Sequence, residues 1–206
     1  MQIQEIIAAV LERTHQAGGL KAVYFVGCGG SQAAIFPGKY LLDCESNEFV
    51  HCPPVKLDGQ CRVICCSLKA TAETVEAVKT ANNAGAVTIA MTGSMETGMA
   101  QVGQYVVTYS NGDHQVYSQG NQAQALRIAF ELLHQLEGYA HYEEAMESFD
   151  QIDEIIAEAK ENMLPAAKKF PEEYQKDAMF YVLACGALQG TGYTMVSCHL
   201  IEMQRL

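Results

Sequence analysis

The feature that most constrains this chain is a unit of apolar strand, small-residue loop and helix that recurs along its 206 residues. AVYFV (22–26) is apolar at every position, as suits a strand buried on both faces, and GCGGS (27–31) then turns the chain into the helical stretch QAAIFPGKYLL. CRVICC (61–66) is followed by the loop SLKAT and a helix over 72–83. AVTIAM (86–91) leads to a short helix over 96–101, and YVVTY (105–109) to a polar loop and a helix over 118–136. Ahead of them all, Ile3, Ile6, Ile7, Val10 and Leu11 recur at helical spacing over 2–16. Strands alternating with helices in this way predict βαβ units and a parallel, doubly wound α/β sheet.

Residues 139–176 lose the strand pattern and carry helical spacing rich in Glu and Lys, with Pro165 and Pro171 expected to interrupt it. AMFYVLACG (178–186) and TMVSCHLIEMQRL then repeat the strand, loop and helix plan of residues 22–42. The chain therefore divides into a first α/β domain over 1–138, a helical connector over 139–177 and the start of a second unit over 178–206. A lone strand and helix cannot bury a sheet, so this last piece is expected to pack on the first domain or on a second copy.

Charge and composition exclude several classes. Thirteen Lys and Arg against 24 Asp and Glu leave a formal charge of −11, the wrong sign for a nucleic-acid backbone. No apolar run reaches the ~20 residues of a spanning helix, and the amphipathic start lacks the basic region of a signal peptide, so a cytoplasmic protein with no membrane partner is expected. The eight cysteines fall largely in strands and helices and form no CxxC pair, which reads as reduced core thiols rather than a metal or disulfide framework.

Two loops carry candidate chemistry. Gly29, Gly30 and Ser31 lie at the carboxyl end of the first strand, where open α/β sheets bind ligands, with Ser31 offering a hydroxyl at a helix start. The stretch has no G-x-G-x-x-G register, which argues against a dinucleotide. Ser67, Lys69 and Thr71 repeat the arrangement after the next strong strand. Two such loops facing one crevice would hold a phosphate by hydroxyls and backbone N–H groups, with Lys69 as a point charge. Taken alone, each loop reads equally as a helix cap.

YFVGCGGSQAAIFPGKYLL, CSLKATAETVEAVKTANNAGA and LEGYAHYEEAMESF resemble the sugar isomerase (SIS) domain proteins, most closely the bacterial deglycases for 6-phosphorylated fructose–amino acids. The resemblance covers essentially the whole chain. It implies a flavodoxin-like, three-layer parallel sheet, a homodimer, a sugar-phosphate ligand and no metal or organic cofactor. It places Gly29, Gly30 and Ser31 in the first ligand loop and Ser67, Lys69 and Thr71 in the phosphate loop. Glu202 falls on the family's catalytic glutamate, the base that moves a proton between C1 and C2 of the open-chain sugar; read from its own surroundings it is a charge on a solvated helix face. His199, three residues earlier, is not assigned as its acid partner.

The sequence departs from the family in three places. No His-Gly-Pro segment follows Glu202, so the chain looks truncated within a second SIS domain. The stretch between Leu42 and Pro53 lacks most of an edge strand, and the phosphate loop lacks the family's glycine near Ala70 and is one residue shorter than the family's. The expected function is a phosphosugar deglycase or isomerase. The alternatives are a non-catalytic sugar-phosphate module and a decayed fragment.

Overall fold

A computed structural model describes residues 1–42, 46–48, 57–110 and 116–203. Helix α1 (Ile3–Gln16) opens with a reciprocal cap in which the Gln2 amide donates to Glu5 Oε2 at 2.9 Å. There follow β1 (Ala22–Val26), α2 (Gly30–Leu41), β2 (Ser46–Glu48), β3 (Cys61–Cys66), α3 (Ala72–Asn83), β4 (Val87–Thr92), α4 (Gly98–Val102) and β5 (Tyr105–Thr108). A 3-10 turn (Tyr117–Gln119) leads into α5 (Asn121–Glu137) and α6 (Tyr142–Tyr174); a second turn (Gly186–Leu188), α7 (Gln189–Thr194) and a π-helical stretch (Met195–Met203) complete the described chain.

The strands form one parallel sheet in the order β2-β1-β3-β4-β5, with Ala22 opposite Cys61 and Val26 opposite Cys65. Every residue of β1, β3 and β4 is buried, as their unbroken apolar runs predict for strands covered on both faces. Side chains alternate between two cores. Val23, Phe25, Ile64, Cys66, Ile89 and Met91 meet Ile6, Val10, Ile35 and Ile128 from α1, α2 and α5. Tyr24, Val63, Cys65 and Ala90 meet Ala77, Val78 and Met99 from α3 and α4. This is the three-layer α/β architecture expected, each large apolar side chain so enclosed contributing about 1.5–3 kcal/mol of transfer free energy.

The shortened stretch after Leu42 still supplies three edge residues, Ser46–Glu48, paired parallel to Val23–Phe25; the rest of 43–52, with Cys44 and Cys52, lies outside the described residues. The central thiols are enclosed, as expected of core cysteines. Burial pushes the Cys66 thiol up to about 11 and Cys65 higher still. At pH 8 a thiol reagent is expected to modify the exposed Cys28 and Cys185 and leave Cys65 and Cys66 intact until denaturant is added, as peptide mapping would show. Because the unfolded chain ionises Cys66 from the ordinary value of 9.0, the stability this thiol contributes is present below pH 9 and lost as pH rises toward 11.

Two expectations require correction. Pro165 and Pro171 do not interrupt the connector: α6 runs through both as one 33-residue helix, about 50 Å long. The carbonyls of Glu161 and Ala167, which lose their intrahelical donors to the prolines, lie in an exposed stretch where water replaces them. Residues 178–185 form no strand among the described residues. A parallel strand needs a neighbour, and this segment pairs with neither sheet edge, leaving Tyr181 82% and Leu183 95% exposed. The helical part of the same unit does pack on the first domain. Gly190 sits so close to α2 that an added Cβ would stand 2.1 Å from the Ala33 carbonyl oxygen, and the Tyr40 hydroxyl donates to Gln189 Oε1. Among the described residues no helix is long and apolar enough to cross a membrane.

Candidate functional site

The strand order has one reversal, between β1 and β3: the chain leaves β1 toward α2 on one face of the sheet and leaves β3 toward α3 on the other. Their loops part there and open a crevice at the carboxyl ends of the strands, where sheets of this order bind ligands. Both loops singled out from the sequence lie at this point.

In the first loop, Gly29 takes φ +56° just before α2, a conformation that favours glycine, and the Ser31 amide donates to the Cys28 carbonyl at 3.2 Å. The Ser31 hydroxyl joins a hydrogen-bonded cluster with the Cys66 thiol and the Tyr109 hydroxyl, which lie 3.7 Å apart. Burial, then the neighbouring thiol, pushes Tyr109 far above the ordinary phenol range, so thiol and phenol stay neutral donors beside Ser31.

The second loop is a tight turn built around Ser67, which is 5% exposed. Its Oγ accepts from the Thr71 amide at 3.1 Å, leaving the hydroxyl proton free to donate. Thr71 starts α3 and shares a hydrogen bond of 3.0 Å with the Thr74 hydroxyl, while Lys69 is exposed. The first amides of α3 have no intrahelical acceptor and point out of the helix end, the usual setting for an anion. The loop is braced from β4: Gly93 donates its amide to the Leu68 carbonyl at 3.0 Å and Thr92 donates its hydroxyl to the same oxygen at 3.3 Å.

Ala70 is the one described non-glycine residue with positive φ, at +55°. This conformation favours glycine, and an alanine side chain is strained in it. Ala70→Gly is expected to stabilise the protein by about 0.5–1 kcal/mol, the relieved strain exceeding glycine's extra chain entropy. A urea midpoint raised at unchanged slope would show it; an unchanged or lower midpoint would contradict it.

A cavity of about 590 Å³ opens beside the crevice. Cys28, Gly30 and Ser31 from the first loop and Leu68 from the second meet there with Tyr109, the 3-10 turn, the start of α5 and the inner face of α6. Ser67, Lys69 and Thr71 do not line it. A smaller space of about 370 Å³ lies between Gly30, Ala33 and Gln122 on one side and Gly190, Thr194 and His199 on the other. Glu202, one turn past Cys198, is exposed and lines neither. Another cavity, about 710 Å³, follows the edge of β5 and is lined by none of the candidate ligand or catalytic residues read from the sequence.

Sequence reasoning missed Tyr109, Tyr117, Asn121 and Phe149. The polar loop before α5 was a signal for Asn121, because it puts another helix start at the same sheet edge. Nothing local marks Phe149, which reaches the cavity only because α6 folds back over α5.

No family model matches the chain. It is 38% identical over 193 residues to the fructosamine deglycase FrlB of Bacillus subtilis strain 168, a match covering 88% of this chain and 59% of the relative. Among solved structures it resembles a protein of Salmonella typhimurium LT2 assigned as a phosphosugar isomerase, at 30% identity and a TM-score of 0.89, over 99% of this chain and 64% of that one. A Bacillus subtilis protein with the same assignment matches at 32% identity and a TM-score of 0.84, over 100% of this chain and 67% of that one. A three-layer parallel sheet with two hydroxyl-bearing loops at its switch point places the chain among the open α/β proteins that take ligands at the carboxyl ends of their strands. The chain belongs to the SIS family of phosphosugar isomerases. It spans about six tenths of the length of the curated relative and about two thirds of the two solved ones.

Proposed function

We propose that this chain binds a 6-phosphorylated fructose–amine adduct, or a related amino-sugar phosphate, in the β1/β3 crevice, and serves its deglycation or isomerisation. The observation that carries the reading is the convergence of Gly29–Ser31 and Ser67–Thr71 on two helix starts at the switch point. Ser67, Thr71 and the first amides of α3 hold the phosphate with Lys69 as the cation, and Ser31 addresses the sugar hydroxyls. The relative at 38% identity is a fructosamine deglycase, which supports a substrate carrying both a ketose and an amine.

The reaction class asks for a carboxylate to remove a proton beside the carbonyl carbon and a donor for the leaving amine. Glu202 is the proposed base. It stands on the same helical stretch as Cys198 and His199, which border Gly30, so a modest movement of that stretch or a second copy in a homodimer would bring it to the sugar. Its exposure in this arrangement favours the second reading, a sugar-phosphate module without turnover. Glu202→Gln separates the two: lost turnover with retained binding supports the enzyme, and indifference supports the module.

Calorimetric titration with fructose 6-phosphate tests binding itself. Wild-type protein is expected to bind, and Ser67→Ala and Ser31→Ala each to weaken affinity about tenfold, ~1.4 kcal/mol, with the fold checked by circular dichroism. Absence of binding at millimolar ligand, or variants that bind as wild type does, would overturn the proposal.

A further inference from the structure

We propose that the 710 Å³ cavity along β5 is a binding site in its own right, for a free α-amino acid with an apolar side chain: Arg127 takes its carboxylate and Glu131 its ammonium. The two residues stand one turn apart on α5, and both line the cavity. Opposite charges so placed can pair with each other, yet these two form no ion pair. The Arg127 guanidinium instead lies over the ring of Phe149, 4.4 Å from its centre, and its one acidic neighbour among the described residues is the exposed Asp150, at 4.0 Å. A pair that long, with one partner in solvent, holds the cation weakly. Arg127 Nε is buried with no hydrogen-bond partner among the described residues, so few of the five donors are spent. With 26% of its side-chain surface open, the fork can still receive a carboxylate in the two-bond geometry that suits it.

Glu131 is 4% exposed, and its described partners are neutral. Oε1 accepts from Gln135 Nε2 at 2.6 Å and Oε2 from the Tyr142 hydroxyl, which in turn accepts from Gln4 Nε2 at 3.3 Å. These bonds fix the carboxylate in place and use two of its roughly four acceptor positions. A buried carboxylate is costly to keep charged until a cation joins it. An ammonium entering the cavity supplies that cation, and a carboxylate on the same molecule satisfies Arg127. Ile3, Val107 and Met146 line the same space and offer apolar surface to the rest of the ligand. A compact molecule that carries both charges beside an apolar group is an α-amino acid. The argument from Arg127 and Glu131 is independent of the phosphosugar reading, since the described linings of this cavity and the 590 Å³ one share only Phe149.

The test titrates the full chain calorimetrically with L-leucine, with isoamylamine, which lacks the carboxylate, and with 4-methylpentanoate, which lacks the ammonium. L-Leucine is expected to bind at millimolar concentration or below, at least tenfold tighter than either comparator. Arg127→Gln and Glu131→Gln are each expected to weaken leucine at least tenfold, and Arg127→Gln to leave isoamylamine, which has no carboxylate to lose, unchanged. Saturating fructose 6-phosphate should leave leucine affinity within twofold. Leucine that does not bind at millimolar concentration, that binds no tighter than either comparator, or that fructose 6-phosphate displaces would overturn the inference. Leucine bound as expected by a chain that does not bind fructose 6-phosphate would uphold this site and sink the phosphosugar reading alone. Should either variant not fold, the two comparators decide.

Discussion

Replacing Gly190 by alanine is expected to release the C-terminal helical segment from α2. The added methyl would stand 2.1 Å from the Ala33 carbonyl oxygen and 3.1 Å from Phe36 Cβ. A backbone oxygen cannot swing aside as a side chain does, so the helices must separate. Overpacking of this kind costs about 1–3 kcal/mol. The six-residue helix lies along α2, and that packing, with the bond from Tyr40 to Gln189, is what holds the segment to the first domain. Cys198 and His199 would leave Gly30 together with α7. Hydrogen exchange over 186–203 should rise at least tenfold while exchange in β1, β3 and β4 stays slow. Unchanged exchange in the segment would contradict the packing described. Turnover, where the wild-type chain has it, should fall with docking if Glu202 is the base.

The second large effect is expected at the opposite end of the sheet. Arg62 on β3 is 1% exposed and has no carboxylate among its described hydrogen-bond partners. Its Nε donates to Thr14 Oγ1 at 2.6 Å, and one terminal nitrogen donates to the carbonyls of Gly59 at 2.8 Å and Cys61 at 2.7 Å. Thr14 passes the contact on to the Val10 carbonyl at 2.7 Å, so the guanidinium lies against the C-terminal turns of α1, whose carbonyls favour a cation. The other terminal nitrogen is buried with no hydrogen-bond partner among the described residues. Arg62→Ala opens a large cavity and orphans these acceptors, and is expected to cost about 3–4 kcal/mol, a large share of a typical domain's stability. Arg62→Met keeps most of the packed volume and removes the buried charge, so its cost should stay below about 1.5 kcal/mol. Denaturant titration of both variants checks the pair, and equal losses would show that charge rather than volume is what matters.

The pH dependence has a definite sign. Burial lowers the Arg62 pKa from the ordinary guanidinium range to about 10, so the unfolded chain holds this proton more tightly than the folded one. The cost of burying the charge is therefore present at every pH below about 10 and fades only as pH rises from there toward the ordinary guanidinium range. The stability difference between wild type and Arg62→Met should be flat from pH 6 to 9.

Much of this architecture was legible because local pattern and final environment agree. AVYFV, CRVICC and the run through VTIAM are apolar at nearly every position, and each lies in the sheet covered on both faces. The two ligand loops were legible for the same reason: glycines, hydroxyls and helix starts announce a strand-to-helix turn wherever they occur. AMFYVLAC carries the same strand pattern, yet it forms no strand, because pairing depends on a neighbour that no run of residues can supply for itself. The prolines of α6 misled in the opposite direction, since the penalty for a proline in a helix is smaller where water can reach the freed carbonyls.

The sequence by itself determined the α/β class, the first ligand loop and the small residues of the crevice, because each depends on the periodicity or chemistry of a few adjacent positions. Tertiary structure alone decided the rest. It set the strand order that brings the loops of β1 and β3 to one switch point, laid α6 over α5 so that Phe149, Ile152 and Ile156 wall a cavity beside the first ligand loop, and seated Gly190 on Ala33 while Glu202 stays in solvent. These arrangements join residues well separated in the chain, Gly190 and Ala33 the farthest apart, and are selected by how whole faces bury against one another, which no short window of sequence contains.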